Sequence, residues 1–329
     1  MTSAPPAMGG KQRDVAFLLG RERDVAFRWL RDNGGYAAIA LLVLYNTIFT
    51  ENFATVANLN TQLVQVAPIL IVALGMALVI GTEGVDLSVG SVMAVAAALL
   101  PLYLGYGLLP ALAMALLGGA LCGLFSGTLV AVVGIQPIVA TLALLVGGRG
   151  LALVIAHGQL KDIRNGTLLE VGAGKVIGIP IVVLIAAGLT VLVALLVRYT
   201  TFGRQLVAVG GNRSASVLAG LPVRRVLITT YVISGVLAAI AGIVATARLT
   251  ASDPSAIGQL SELSAITAVV VGGTPLSGGR VRILGTVAGA LLMQLIAATL
   301  IKNDLPASAA QMMQAAIIVV AVYLQRARR

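Results

Sequence analysis

Long apolar segments, separated by short polar ones, fill most of the sequence from residue 36 to residue 325. A helix needs about 20 predominantly apolar residues to cross a bilayer, so this pattern predicts repeated membrane spans. Only 10% of the residues are charged, whereas a soluble domain carries about 25%. The 38 glycines and the small aromatic fraction of 4% favour close helix contacts through small residues. The expected fold is all-α and polytopic.

Basic residues are concentrated in four short segments that alternate with the apolar runs. These segments are residues 11–31, 198–225, 280–282 and 326–329. Because positive charge accumulates in cytoplasmic loops, they predict that both chain termini are cytoplasmic. The predicted regions are a cytoplasmic segment over 1–35, a membrane domain over 36–325 and a cytoplasmic tail after it. The net charge of +10 therefore indicates topology, and nucleic-acid binding is not expected.

Ten spans place all four basic segments on the cytoplasmic side of the membrane. The first is short, and the eighth is rich in glycine, serine and threonine, which makes it a candidate re-entrant segment. The pentapeptide Arg-Asp-Val-Ala-Phe, at 13–17 and again at 23–27, predicts either a helix on the cytoplasmic membrane surface or a polar tail. The predicted spans are approximately 36–50, 62–82, 87–104, 108–133, 137–157, 179–197, 227–248, 262–279, 284–301 and 309–325.

The sharpest interruption of the apolar pattern lies between the second and third predicted spans. Glu83, Asp86 and Ser88 stand there among glycines. A charge at the centre of a lipid-facing helix costs about 2.5–3.5 kcal/mol, so the interruption must be surrounded by protein or water. It predicts a substrate path or a gate. The alternative is that Asp86 and Ser88 cap the helix that follows.

A second interruption, at 273–279, repeats glycine, leucine and serine at the spacing found in 84–90. Paired interruptions in the two halves of a membrane chain point to a transport site. The charge pattern places both on the same side, so no inverted repeat is predicted. Arg149 and Glu262 are further candidate buried charges, together with Glu83. For Arg149, an ion pair with Glu83 or Asp86 and a substrate contact both remain open.

The sequence offers no site for catalysis or energy coupling. A single cysteine and a single histidine exclude an internal disulfide and a His-rich metal site. Residues 172–176 (Gly-Ala-Gly-Lys-Val) lack the leading glycine and the hydroxyl residue of a phosphate-binding loop. We therefore expect no catalytic residue, metal or cofactor in this chain. The polar loop at 158–178 faces outward and is either a docking site or a solvated connector.

Residues 75–91 (Gly-Met-Ala-Leu-Val-Ile-Gly-Thr-Glu-Gly-Val-Asp-Leu-Ser-Val-Gly-Ser) closely resemble a signature of permease subunits of bacterial ABC sugar importers of the ribose/xylose/galactose type. Segments 202–223, 231–243 and 262–279 resemble the same family. The resemblance implies an inner-membrane subunit with about ten spans, paired with a second copy or a homologous permease. It also implies a separate ABC ATPase, which binds ATP and magnesium, and a periplasmic sugar-binding protein.

The resemblance assigns residues 198–226 to cytoplasmic docking of the ATPase. The implied docking residues are Gly203, Arg204, Gly210, Gly211, Asn212, Arg213 and Gly220. Three positions depart from the family pattern: Glu83 replaces the first glycine of a pair, Ser264 replaces an aspartate, and residues 214–216 replace a more acidic run. Residues 135–142 and 148–150 are similar to a galactofuranose importer permease, although Ile138 stands where an aromatic residue is usual.

The sequence therefore predicts a permease subunit that moves a monosaccharide with ATP hydrolysed by its partner. A neutral, hydroxyl-rich sugar requires a few hydrogen-bonding side chains on a wall of small residues. The alternatives are a permease for another small solute, such as a branched-chain amino acid, and an ion-driven carrier that acts alone. The candidate path residues are Asp86, Ser88, Gln136, Thr141 and Ser277.

Overall fold

A computed structural model describes residues 38–303 and, beyond them, 306, 308–309, 311–313, 315–317 and 319. The predicted surface helix within 1–35 and the tail at 326–329 lie outside the described residues. The helices are α1 (Ala38–Phe49), α2 (Val56–Gly81), α3 (Val89–Tyr103), α4 (Leu108–Thr128), α5 (Pro137–Ile155), α6 (Gly166–Ala173), α7 (Ile181–Tyr199), α8 (Thr201–Gly211), α9 (Arg213–Leu218), α10 (Val223–Leu249), α11 (Ser261–Val271) and α12 (Ile283–Lys302). The short strands are β1 (Lys161–Asp162), β2 (Lys175–Val176), β3 (Ile179–Pro180) and β4 (Ala251–Ser252), of which β1 pairs with β4 and β2 with β3, both antiparallel.

The prediction of an all-α polytopic membrane fold is confirmed. Within the described residues, seven helices are long and apolar enough to cross a membrane: α2, α3, α4, α5, α7, α10 and α12. A 3₁₀ turn extends α3 to Tyr106, and a π-helical turn extends α4 to Val133. Helices α1 and α11 are apolar but shorter. The total of ten spans stays a prediction.

Helices α2 and α10 form the centre of the bundle and run antiparallel. Gly75 of α2 lies against Ser234 of α10, and Val64 near the start of α2 accepts a hydrogen bond from Arg248 near the end of α10. Fifteen residues of α2, from Val66 to Gly81, are buried. A helix that is apolar on all sides is stable only when other helices surround it, so α2 takes the central position.

Glycines bring α4 and α10 into close contact. Gly119 lies against Gly235 and Ala239, and Gly123 lies against the backbone of Tyr231. A Cβ atom on either glycine would collide with the opposing backbone. The glycines of α4, spaced four residues apart, thus form a helix-packing surface, which agrees with the close contacts through small residues expected from the composition.

The two halves of the bundle are built in opposite directions, which the sequence analysis did not predict. In the first half, α2 is followed by a non-helical segment (82–88) and then by α3, which begins inside the protein and runs parallel to α10. In the second half, α10 is followed by segment 250–260 and then by α11, which also begins inside the protein. The structural counterpart of 82–88 is therefore 250–260, and not the predicted 273–279.

The predicted eighth span, 262–279, is helical only as far as Val271. At about 1.5 Å per residue, the 11 residues of α11 cover roughly half of a bilayer core. Residues 272–282 form an irregular loop, in which Gly278 and Gly279 have positive φ. The Gly279 N–H donates to the Gly81 carbonyl at 3.1 Å. The two predicted interruptions therefore meet at one end of the bundle, together with α8; we call this the α8 end. The opposite end, which carries β1–β4, is the hairpin end.

Candidate functional site

Segment 82–88 begins with a tight turn that closes α2. The Thr82 and Gly84 N–H groups both donate to the Val79 carbonyl, at 3.0 and 3.1 Å. Glu83 adopts a left-handed conformation with φ of 66°, and its side chain is exposed. The prediction that Glu83 is a buried charge is wrong, because the turn directs its side chain away from the bundle. The left-handed backbone fits the glycine that stands at this position in the family signature described above.

Asp86 is 2% exposed and holds the middle of the segment in place. Its Oδ1 accepts hydrogen bonds from the Ser88 N–H at 3.0 Å and the Ser88 hydroxyl at 2.6 Å. Its Oδ2 accepts from the Ser234 hydroxyl of α10 at 2.8 Å. Ser88 is the N-cap residue of α3 but makes no side-chain capping bond of its own. Asp86 therefore connects the start of α3 to α10.

Helix α5 holds the other side of the segment. The Thr141 hydroxyl lies 3.2 Å from the Val85 carbonyl and 2.9 Å from that of Pro137, one turn earlier in its own helix. The Ser91 hydroxyl bridges the Ser88 carbonyl at 2.8 Å and the Leu144 carbonyl at 3.0 Å. Since non-helical backbone at membrane depth needs partners within the protein, the Thr141 hydroxyl is a donor within reach of the Val85 carbonyl, and Ser91 links α3 to α5.

The structure brings three of the five candidate path residues together and separates the other two. Asp86, Ser88 and Thr141 are buried side by side inside the chain. Gln136, the N-cap residue of α5, is exposed, and Ser277 is half-buried in the loop at the α8 end. In this conformation the buried three do not line an open path. Their contacts match the alternative of holding a helix end.

Arg149 forms neither of the two ion pairs considered in the sequence analysis, with Glu83 or with Asp86. Its Nη1 donates to the carbonyls of Pro254 and Ile257, at 2.8 and 2.7 Å. Arg149 thereby ties α5 to segment 250–260. The carboxylate that interacts with it electrostatically is that of Glu262.

Glu262 lies where the first turns of α3 and α11 approach each other. It is buried, and within the described part of the chain its Oε2 has no hydrogen-bond partner. A Cβ on Gly90 of α3 would lie 2.5 Å from this oxygen and against the Gly258 carbonyl. Only glycine at position 90 permits this approach. The carboxylate is stabilised there by the positive end of the α3 dipole.

The sequence analysis missed Ser234 and Tyr231 as site residues. Ser234 bonds to Asp86, and a Cβ on Gly84 would lie 2.8 Å from the buried Tyr231 hydroxyl. The available signal was the spacing of these two polar side chains, three residues apart in a mainly apolar span, which places both on one helix face.

The docking segment contains two capped helices. The Thr200 hydroxyl caps α8 through the Gly203 N–H at 3.2 Å, and Asn212 caps α9 through the Ala215 N–H at 2.9 Å. Of the predicted docking residues, Gly203 and Gly210 are buried, so they cannot face a partner; they allow α8 to approach the backbone of Val197 and Gly81. The exposed ones are Arg204, Gly211, Asn212, Arg213 and Gly220.

An interrupted helix bundle of this kind, with its polar groups buried at the interruptions, is typical of membrane transport proteins. Residues 58–322 match the family described as "Branched-chain amino acid transport system / permease component". The chain belongs to this family, and the relatives reported next are permease proteins named for sugars.

Three relatives illustrate the match. The chain is 38% identical over 312 residues to the galactofuranose transporter permease protein YtfT of Escherichia coli (strain K12), covering 92% of each chain. It is 39% identical to the fructose import permease protein FruF of Bifidobacterium longum (strain NCC 2705), covering 88% of this chain and 85% of that one. It is 31% identical to the L-arabinose ABC transporter permease protein AraH of Azospirillum brasilense, covering 96% and 94%. No solved structure matches the chain.

The role of Asp86 is tested by two substitutions. Asp86→Ala leaves buried donors of Ser88 and Ser234 unpaired, each at about 1–3 kcal/mol, so we expect lower thermal stability and loss of transport. Asp86→Asn keeps one oxygen for Ser88 and can donate to the Ser234 hydroxyl, so it should retain most of both. Thermal unfolding in detergent and uptake measure the two effects. An Asn variant that is stable but inactive would show that the charge itself acts in transport.

The backbone of Glu83 gives a second prediction. A residue with a side chain in the left-handed region is strained by about 1–2 kcal/mol relative to glycine, and part of this is offset by glycine's greater freedom in the unfolded chain. Glu83→Gly should therefore stabilise the protein by about 0.5–1 kcal/mol. Glu83→Ala is the matched control and should give no gain, because alanine retains the Cβ atom. Equal unfolding temperatures for the two variants would refute this explanation.

Proposed function

We propose that this chain is the membrane-spanning permease subunit of an ATP-driven importer that moves a monosaccharide across the bacterial inner membrane. The observation that carries the proposal is the agreement in length and sequence with permeases named for galactofuranose, fructose and L-arabinose, which extends over 88–96% of this chain. The polar interruption at 82–88 lies inside the matched region. Galactofuranose is the leading candidate sugar, since the segments around Ile138 and Arg149 resemble that subgroup.

The charges inside the bundle favour a neutral substrate over an amino acid. An amino acid carries an ammonium and a carboxylate group, and its path would need fixed charges of both signs. In the described bundle, however, the Asp86 carboxylate accepts hydrogen bonds from two serines, and the Arg149 guanidinium donates to two backbone carbonyls. Glu262 is enclosed against α3. None of the three is placed to bind a charged solute.

We place the substrate path along the exposed face of α5, opposite a second permease. Only 22% of the α5 span is buried within this chain. Its exposed face carries Gln136 at one end and Gly147 and Gly150 further along, with no neighbour near either glycine. Two glycines and an exposed amide, set among apolar side chains such as Val146 and Val154, suit a sugar that must bind weakly enough to leave. A second copy or a homologous permease would close the other side.

The α8 end is the proposed docking face for the ATPase and lies in the cytoplasm. Helix α9 presents Val217 and Leu218 at 59% and 89% exposure, beside Arg213. Exposed apolar residues outside the spans indicate a protein contact. The arginines of 198–225 and 280–282 lie at the same end, as the positive-inside rule requires. The hairpin end would then face the periplasm, where a sugar-binding protein delivers the substrate.

Transport is tested in liposomes that contain this chain, a candidate ATPase and a sugar-binding protein. We expect uptake of a labelled monosaccharide only with ATP present, and little uptake of labelled leucine. A sugar panel of galactose, fructose, ribose and arabinose ranks the substrates. Flux without ATP or without the ATPase would contradict the proposal and support a carrier that acts alone.

Docking is tested by cross-linking single cysteines in a chain whose Cys122 is replaced by serine. Leu218→Cys should form an adduct with the co-expressed ATPase, because this side chain is almost fully exposed on α9. Gln159→Cys, exposed at the opposite end between α5 and β1, is the matched control and should form none. Adducts at position 159 alone would reverse the proposed orientation.

A further inference from the structure

A cavity of about 570 Å³ lies at the hairpin end, away from the segments described above. It is open to the outside and is bordered by the first half of α2, the segment 172–180 and the last turn of α10. Its lining residues include two basic side chains and no acidic one; the polar and charged members are Asn60, Thr61, Gln65, Lys175 and Arg248.

The donors of this cavity suit an anion with several oxygens. Within the described residues, Arg248 makes one long hydrogen bond, from Nη1 to the Val64 carbonyl at 3.4 Å. Lys175 is exposed. The Gln65 side-chain oxygen accepts from Gln294 at 2.7 Å, so its amide nitrogen is the atom left to donate. Arginine, lysine and amide donors around one space are the groups that bind phosphate oxygens in proteins.

The hairpin beside the cavity is apolar at its tip. Strands β2 and β3 carry Val176 and Ile179, both about half exposed, and between them Ile177 is 97% exposed. Helix α7 begins at Ile181, directly after the hairpin. An apolar tip at the start of a span lies at the boundary between lipid headgroups and acyl chains. The cavity and the tip therefore occupy adjacent levels of one leaflet.

We propose that this cavity binds the phosphate group of an anionic phospholipid in the leaflet at the hairpin end, with Lys175 and Arg248 as the cationic ligands and Ile177 among the acyl chains. The two basic side chains favour a lipid whose headgroup has a net negative charge over one whose headgroup also carries a cation. The apolar tip favours a lipid over free phosphate, since it would otherwise face water. The site is separate from the proposed sugar path on α5 and from the ATPase face.

The test uses the full chain in detergent, titrated with dioleoylphosphatidylglycerol and, in parallel, with the zwitterionic dioleoylphosphatidylcholine, with bound lipid counted by native mass spectrometry. Because one basic residue near a membrane surface contributes about a factor of five in binding anionic lipid, Lys175→Gln should weaken phosphatidylglycerol binding about fivefold. Lys175→Gln with Arg248→Gln should weaken it about 25-fold. Arg164→Gln removes the same charge at the same end, outside the cavity, and should change binding less than twofold.

Four results would overturn the proposal. The first is equal binding of the two lipids by the unmodified chain. The second is an effect of Arg164→Gln as large as that of Lys175→Gln. Because Lys175 is exposed, its substitution should not disturb folding. The third is displacement of phosphatidylglycerol by millimolar inorganic phosphate, which would identify a free-phosphate site. If the double variant keeps its lipid but no longer binds the sugar-binding protein, the surface is a protein contact and the lipid site is refuted.

Discussion

The structure depends on a single requirement: the non-helical backbone of 82–88 must find its hydrogen bonds inside the protein. Around the buried Asp86, away from the exposed Glu83, neither lipid nor bulk water can supply them. The Asp86 carboxylate accepts from the Ser88 N–H, and the Thr141 hydroxyl of α5 lies 3.2 Å from the Val85 carbonyl. Ser234 of α10 in turn donates to the second oxygen of that carboxylate. The close packing of these two helices around the segment follows from it, and so does the burial of α2, which carries the segment at its end.

The same requirement explains why glycine occurs where helices and interruptions meet. Gly210 approaches the Gly81 carbonyl, and Gly90 approaches that of Gly258; a Cβ atom at either site would collide with backbone. Each approach joins parts of the chain more than a hundred residues apart. Glycine therefore serves in two ways here, as a small surface between helices and as the residue that lets an interrupted segment contact its partner backbone.

The sequence predicted what depends on local composition. The long apolar runs located the described spans to within a few residues for α3, α4, α5 and α12, because span length follows from bilayer thickness. The bond between Asp86 and Ser234 could not be predicted in this way, since 148 positions separate the two residues and no local pattern connects them. Glu83 was misassigned because its burial depends on the φ angle of one turn residue.

The sequence similarity between 84–90 and 273–279 pointed to the wrong structural counterpart for a related reason. Glycine and serine recur in both because both segments interrupt helices, and such similarity does not distinguish a repeat from a contact. In the structure 273–279 touches the first interruption through Gly279 and Gly81, whereas the segment with the equivalent place in the fold, 250–260, has a different sequence. Opposed helix direction, which similarity of short motifs cannot reveal, identifies the true counterpart.

The bonding of Asp86 also bears on how a solute could cross. To bind a sugar, its carboxylate would have to exchange three internal hydrogen bonds, and bonds to a charged group contribute about 1.5–3 kcal/mol each. One or two sugar hydroxyls cannot replace all three. A conformational change that keeps these bonds must move segment 82–88 together with α10 and the start of α3. Alternating access would then arise from movement of this bonded unit relative to a second permease, with the sugar passing between the two chains.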